Sequence, residues 1–192
     1  MPTAEPTTRV GPQDHGRRMS LEDFLDAEAQ PGYVYELEGG VIAVDRPGLP
    51  HEEVVDALPL QVAAWRLANP RGVRLGAFGS KVVAPGARSE RHPDLALYLT
   101  PAPDPVQPWE KWGPDIVVEV VSESSRKRDH EIKRREYLAV GVREYWIVDP
   151  GRRAVVVLER FGDQFRERTV ADAYETGYLP GFKLEVARLF QP

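Results

Sequence analysis

Glu119 is the residue whose placement most invites chemistry. It lies in DIVVEVVS, a run apolar on both faces. In a strand, alternate residues share a face, so Asp115, Val117, Glu119 and Val121 point one way and Ile116, Val118 and Val120 the other. An ionised carboxylate in such surroundings is costly unless it is paired, hydrogen-bonded or bound to a cation. Two readings stand side by side: a cation ligand, or a structural ion pair with one of the chain's arginines. Asp94 opens another apolar run, HPDLALYL, 25 residues before Glu119. A neighbouring strand there would bring two carboxylates together, which suits Mg2+ with its preference for one or two carboxylates, waters and phosphate oxygens. Alone, Asp94 also reads as an ordinary strand-entry aspartate.

Asp129, Lys133 and Tyr137 follow at intervals of four, a single stripe if the segment is helical. The first two could form a plain surface ion pair. Lysine, however, can position a water, or activate one by giving up a proton when its pKa is lowered. Around the stripe, Arg126, Lys127, Arg128 and Arg134 make a basic strip that could follow a phosphate backbone or be a solvated face of mixed charge. His51 near a helix start is a candidate phosphate or metal contact. His15, His92 and His130 have no ligand spacing around them. Zinc-helix, phosphate-loop, dinucleotide and serine-hydrolase motifs are absent.

These residues must be held by a framework, and its elements can be read in order. Residues 1–18 are polar and rich in Pro, Thr and Gly, and read as a disordered tail. Ser20 caps a helix over LEDFLDAEA, with Asp23 three positions on. YVYELEGGVIAVD reads as a hairpin turning at Gly39 and Gly40. Apolar residues from His51 to Leu67 recur at a helical period, and Pro59 is expected to kink or split that helix. VRLGAFGSKVVAPG and HPDLALYL offer two or three strands. TPAPDPVQPWEKWGP is a proline-rich loop, in which exposed Trp109 and Trp112 could make a dimer contact. DIVVEVVS is a central strand. Ser122, Ser124 and Ser125 cap the helix RKRDHEIKRREYLAV, which stops at Gly141, and EYWIVD should lie parallel to DIVVEVV. AVVVLERFGDQFRERTV forms a hairpin turning at Gly162 and Asp163. The fold class is α/β, one domain over 19–192.

Composition sets the outer limits. The 192 residues suit one domain with a real core. Without cysteine there are no disulfides, thiolate zinc sites or cysteine nucleophiles. No run of 18 apolar residues and no signal-like stretch occurs, so a cytoplasmic address is expected. A net charge of -5 does not advertise a nucleic-acid binder, although a bound cation and a local basic strip can supply the positive charge a phosphate needs.

From about Met19 to Phe190 the chain resembles the Uma-type endonucleases, within the PD-(D/E)XK restriction-endonuclease-like superfamily. The resemblance rests on YELEGG, HPDLAL, PDIVVEVVSESS, RDHEIKRREY, GVREYWIVDP and LPGFKLEV in that order. It implies a mixed central sheet flanked by helices, with an N-terminal helix and hairpin and a C-terminal hairpin extension. It implies Asp94 and Glu119 as metal ligands on adjacent strands, together with the backbone carbonyl of Val120. Glu36 matches an acidic position that adds a ligand or supports one, and His51 matches a nearby histidine. The lysine expected two residues after the motif glutamate is replaced by Val121, and Lys133 on the next helix is placed to substitute for it. The activity implied is Mg2+- or Mn2+-dependent hydrolysis of phosphodiester bonds in nucleic acid, with DNA the expected polymer, by a homodimer. The alternatives are a catalytically inactive nuclease fold that binds DNA or a protein partner, and a paired-carboxylate glycoside hydrolase working without metal.

Overall fold

The structure, a computed structural model, describes residues 8–45, 49–73, 75–77, 80–103, 111–122 and 125–191. Ser124 and Trp109, singled out above, lie outside the described residues. The elements in chain order are β1 (Arg9–Val10), α1 (Leu21–Leu25), β2 (Glu28–Ala29), β3 (Val34–Glu38), β4 (Val41–Asp45), α2 (Leu49–Ala68), β5 (Leu75–Ala77), β6 (Val82–Ala84), β7 (Ser89–Arg91), β8 (Leu95–Tyr98) and β9 (Ile116–Val120). A π-helical segment (Arg128–Lys133) then runs into α3 (Arg134–Ala139). The chain finishes with β10 (Glu144–Asp149), β11 (Ala154–Phe161), β12 (Gln164–Val170), β13 (Ala173–Glu175) and β14 (Lys183–Glu185).

The main sheet has the strand order β12-β11-β10-β9-β8-β5. It is mixed: β9 and β10 run parallel, and every other neighbouring pair is antiparallel. The parallel pair is joined by the helical segment, the crossover that parallel strands demand. All five residues of β9 and all six of β10 are buried, as central strands covered on both faces must be. The two faces of β9 go to two cores. Ile116, Val118 and Val120 pack under Val54, Leu58 and Val62 of α2 and under the C-terminal Leu179, Phe182, Leu184 and Leu189. Val117 and Val121 pack with Tyr137 and Tyr145 on the other side.

A second, four-stranded sheet, β4-β3-β7-β6, carries the predicted hairpin. Its turn uses Gly39 at φ +59° and Gly40 at φ +84°, the positive angles that a two-residue hairpin loop requires. Strand β7 had no signal of its own in the sequence, being the short polar run Ser-Glu-Arg, yet all three of its residues are buried.

Several expectations need correction. Residues 8–18, read as tail, are built into the fold: β1 pairs in parallel with β2, and Val10 is buried with Phe24, Tyr35, Leu37 and Ile42. One apolar side chain with a ready pocket outweighs the polar composition around it. The helix after Ser20 is five residues long, capped by the Ser20 hydroxyl accepting from the Asp23 N–H at 3.0 Å, and gives way to β2. Pro59 does not split its helix, which runs unbroken from Leu49 to Ala68. Trp112 is not an exposed contact; it is buried on Tyr98, ring centroids 4.2 Å apart. No helix among the described residues is long and apolar enough to cross a membrane.

Candidate active site

Strand β9 ends beside β8, and the register sets Leu95 opposite Val118. Asp94, the residue just before β8, therefore stands level with the end of β9. Its Oδ2 accepts the Val120 N–H at 2.7 Å, which ties the two acidic segments together. Glu119 points to the opposite face from Val118 and Val120, toward the helical segment. There its Oε1 takes the Lys133 ammonium at 2.9 Å and the Tyr137 hydroxyl at 2.5 Å.

The helical stripe was read correctly. Lys133 also reaches Asp129 Oδ1 at 3.5 Å and Glu36 Oε1 at 3.0 Å, so one ammonium meets three carboxylates from β3, β9 and the helix. The turn that presents Asp129 and Lys133 is π-helical, a conformation frequent at functional sites. Its start is fixed by Ser122 and Ser125, each hydroxyl accepting the other's N–H, and the Ser125 hydroxyl donates to Asp129 Oδ2 at 2.5 Å. Tyr145 of β10 donates to the Asp129 carbonyl from below.

Glu36, Asp45, His51, Asp94, Glu119, Val120, Arg128, Asp129 and Lys133 line one cleft of about 50 Å³, room for a few small species such as an ion and waters. His51 sits at the Asp94 end, Nε2 3.3 Å from Oδ2. Burial alone would lower the imidazole's pKa; the Asp94 contact and the charges of Glu52 and Asp129 outweigh it and raise it. Glu119 is pushed well above the usual carboxylate range by burial, with Asp94, Asp129 and Glu36 adding to that rise against the pull of Lys133. Asp129 is raised as well, again chiefly by burial. Glu36 behaves oppositely. Burial pulls its pKa up, but Lys133, Arg91 and Arg128 together bring it down to about 2.

Two readings change on this geometry. Lys133 was considered as a group that could give up its proton. Burial does favour the neutral amine, yet Glu119, Glu36 and Asp129 overwhelm that effect and raise its pKa, so it is a fixed ammonium. Glu36 was considered as a metal ligand. Its Oε1 is taken by Lys133 and the His92 N–H, and its Oε2 by Arg91 at 3.2 Å and Arg128 at 3.7 Å. It anchors cations around the cleft. The basic strip is likewise largely neutralised: Arg126 binds Asp149, Arg128 binds Asp45, and Arg134 binds Glu167 of β12. Lys127 is exposed to solvent.

Sequence reasoning missed Arg91, which is fully buried and grips Glu36, Glu38 and Glu136. It also missed Glu136, which accepts from Arg91 and from the Ser89 hydroxyl at 2.7 Å. Both are long-range partners with no local signature; a charged residue one position before His92-Pro93-Asp94 was the sole hint. Tyr137 offers a direct check of the cleft. Tyr137→Phe deletes one of two donors to a buried carboxylate oxygen and should lower stability by about 1.5–3 kcal/mol, read from urea midpoints. A shift too small to measure would mean that the hydroxyl does not hold Glu119.

Among the described residues, no three acidic or histidine side chains stand close enough to hold an ion unaided. Two carboxylates lining one cleft do suit a hard cation that keeps its waters, as Mg2+ does. Asp94 and Glu119 supply them, and the buried Asp129, whose Oδ1 has no hydrogen bond and meets the Lys133 ammonium at 3.5 Å, is a third carboxylate lining the same cleft. The donor set fits.

Comparison with known proteins agrees with this architecture. A crystal structure of a putative nuclease belonging to DUF820 from Anabaena variabilis superposes with a TM-score of 0.72 at 15% identity, over 90% of this chain and 97% of that one. At that identity the likeness is one of fold. No curated protein matches the chain. The Uma2 family, described as "Putative restriction endonuclease", matches residues 21–187. With most of its length inside that match, the chain belongs to the Uma2 family.

Proposed function

We propose that this chain is an endonuclease that uses Mg2+ or Mn2+ to hydrolyse phosphodiester bonds, with DNA as the polymer. The observation that carries the reading is the meeting of Asp94, Glu119 and Lys133 in one cleft. Among the described residues neither acid has a guanidinium beside it: Asp94 meets His51, and Glu119 is paired with Lys133, the ammonium to which this reading gives a part in the chemistry.

In this reading Asp94 and Glu119 would hold the cation, with the Val120 carbonyl beside them. Bound there, the ion supplies Lewis-acid polarisation of the phosphodiester and a lowered pKa for a coordinated water. The protein's own groups do the positioning. The Val120 N–H and His51 hold Asp94, while Tyr137 and Lys133 hold Glu119. Lys133, permanently charged, fills the place left by Val121: its ammonium steadies negative charge that develops on the phosphate and orients what attacks it. Val121 itself packs into the apolar core with Tyr137 and Tyr145 and has no such role.

A Mn2+ titration followed by calorimetry, with nicking of supercoiled plasmid in parallel, tests the reading. One cation site is expected, lost in both Asp94→Asn and Glu119→Gln, with nicking lost alongside. Nicking that survives Glu119→Gln overturns the assignment. Cation binding without nicking favours the inactive, nucleic-acid-binding alternative. The proposal also takes the chain as a cytoplasmic homodimer; Leu60 and Leu67, 69% and 87% exposed on α2, are apolar surface available to a second copy. Sedimentation velocity decides that point.

A further inference from the structure

Next to the cleft lies a second and larger cavity, of about 450 Å³, between the β3 face, α1, the β1–β2 pair and the start of α2. Val34, His51, His92 and Asp94 line both, so a molecule whose phosphate sat at Asp94 would have this cavity as its immediate neighbour. The volume is within the range of pockets that take flat, drug-sized molecules. Its walls are aromatic and apolar, with Phe24, Tyr33, Tyr35 and Val55 among them.

Two polar atoms in those walls lack partners. The Tyr35 hydroxyl and Glu90 Oε2 are buried without a hydrogen bond, on residues only 6% and 1% exposed. Unsatisfied buried polar groups are uncommon and costly, and each calls for an explanation. Glu90 is otherwise fully engaged: Oε1 meets His92 Nε2 at 2.7 Å and the Lys81 ammonium at 3.4 Å. That pair fixes the carboxylate and leaves Oε2 as a pre-set acceptor, with the Tyr35 hydroxyl able to donate or accept. Aromatic walls plus a small number of fixed polar groups are what a heterocycle with N–H donors needs. None of these groups serves the hydrolytic cleft.

We propose that this cavity receives one unstacked nucleobase of the nucleic-acid substrate, lodged among Phe24, Tyr33 and Tyr35 and hydrogen-bonded through its N–H edge to Glu90 and Tyr35. The inference rests on the nuclease reading and narrows it: the preferred substrate carries a base free to leave the helix, at a mismatch, a bulge or a single-stranded stretch. Taking up a base that is already unpaired avoids the unstacking and unpairing that a paired one demands.

The test uses fluorescence anisotropy with Ca2+ in place of Mg2+ and three labelled duplexes: fully paired, with one bulged base, and with an abasic residue in the bulge. The bulged base should bind about tenfold more tightly than the abasic bulge, as base stacking on aromatic rings would give. Ala29→Trp fills the cavity from an exposed position, and Glu90→Gln removes the charged acceptor. Both should erase the difference while leaving affinity for the paired duplex unchanged. Equal affinity of the two bulged duplexes for the unsubstituted chain overturns the proposal, and so does a preference that survives Ala29→Trp. Binding of none of the three duplexes would instead overturn the nuclease reading on which it rests.

Discussion

Lys133→Met is expected to slow cleavage by about 10²- to 10³-fold, the range seen when one donor that stabilises developing charge is removed. The same change should cost about 3–5 kcal/mol of stability, because it strips the cation from a buried cluster of acids. Lys133 is 4% exposed, and Glu36, Glu119 and Asp129 all lie within 3.5 Å of its ammonium. Methionine matches the length of the stem, so packing is nearly kept and the charge is what goes. The two losses can be separated. Among the described residues Glu119 has no other cationic partner, so Glu119→Gln introduced with Lys133→Met should return part of the lost stability, a coupling of about 0.5–3 kcal/mol. It should return none of the activity. Nicking rates at a temperature where both chains are folded, set beside urea midpoints, give the answer. A Lys133→Met chain that cleaves at the normal rate would remove the ammonium from the mechanism.

Much of this cleft could be read from the sequence, and the reason is periodicity. Strand alternation puts Glu119 opposite to Val118 and Val120, and the two cores fall on those two faces. Spacing by four placed Asp129, Lys133 and Tyr137 together, and all three meet Glu119 or its partner. A glycine pair marked the hairpin that carries Glu36. Patterns of this kind are local, and the fold repeats them faithfully.

What escaped was set by contacts distant in the chain. Arg126, Arg128 and Arg134 are neighbours in sequence, yet their partners Asp149, Asp45 and Glu167 come from three different strands. No local pattern tells a guanidinium which carboxylate will be near. The protonation of Lys133 escaped for the same reason, since burial argues for a neutral amine and only the sum of three acids reverses it. Strand β7 was invisible because its Ser, Glu and Arg are buried through polar partners outside the strand, Glu136, Glu36, His92 and Lys81, rather than through apolar character.

Arg91→Met is expected to be as damaging to the fold as the loss of Lys133, at about 3–5 kcal/mol, though Arg91 reaches no atom of the proposed ligands Asp94 and Glu119. Its guanidinium is wholly buried, with Nε 2.6 Å from Glu136 Oε2, one terminal nitrogen 3.1 Å from Glu136 Oε1 and the other 3.2 Å from Glu36. The fork on Glu136 joins β7 to α3, and the bond to Glu36 joins β7 to β3, so one side chain ties the second sheet to the helix that presents Lys133. Arg91→Lys cannot reproduce two parallel bonds to one carboxylate and should recover less than half of the loss. The Arg91→Met, Glu136→Met pair should recover more, because replacing both members of a buried ion pair with apolar groups avoids the stranded charge that makes single removal so costly. Cleavage should fall less in Arg91→Met than in Lys133→Met when both are assayed folded, since Glu36 keeps Arg128 and Lys133 as partners. If Arg91→Met unfolds no more readily than the unsubstituted chain, the network does not hold the second sheet to the helix, and Glu36 must owe its position to Lys133, Arg128 and the His92 N–H.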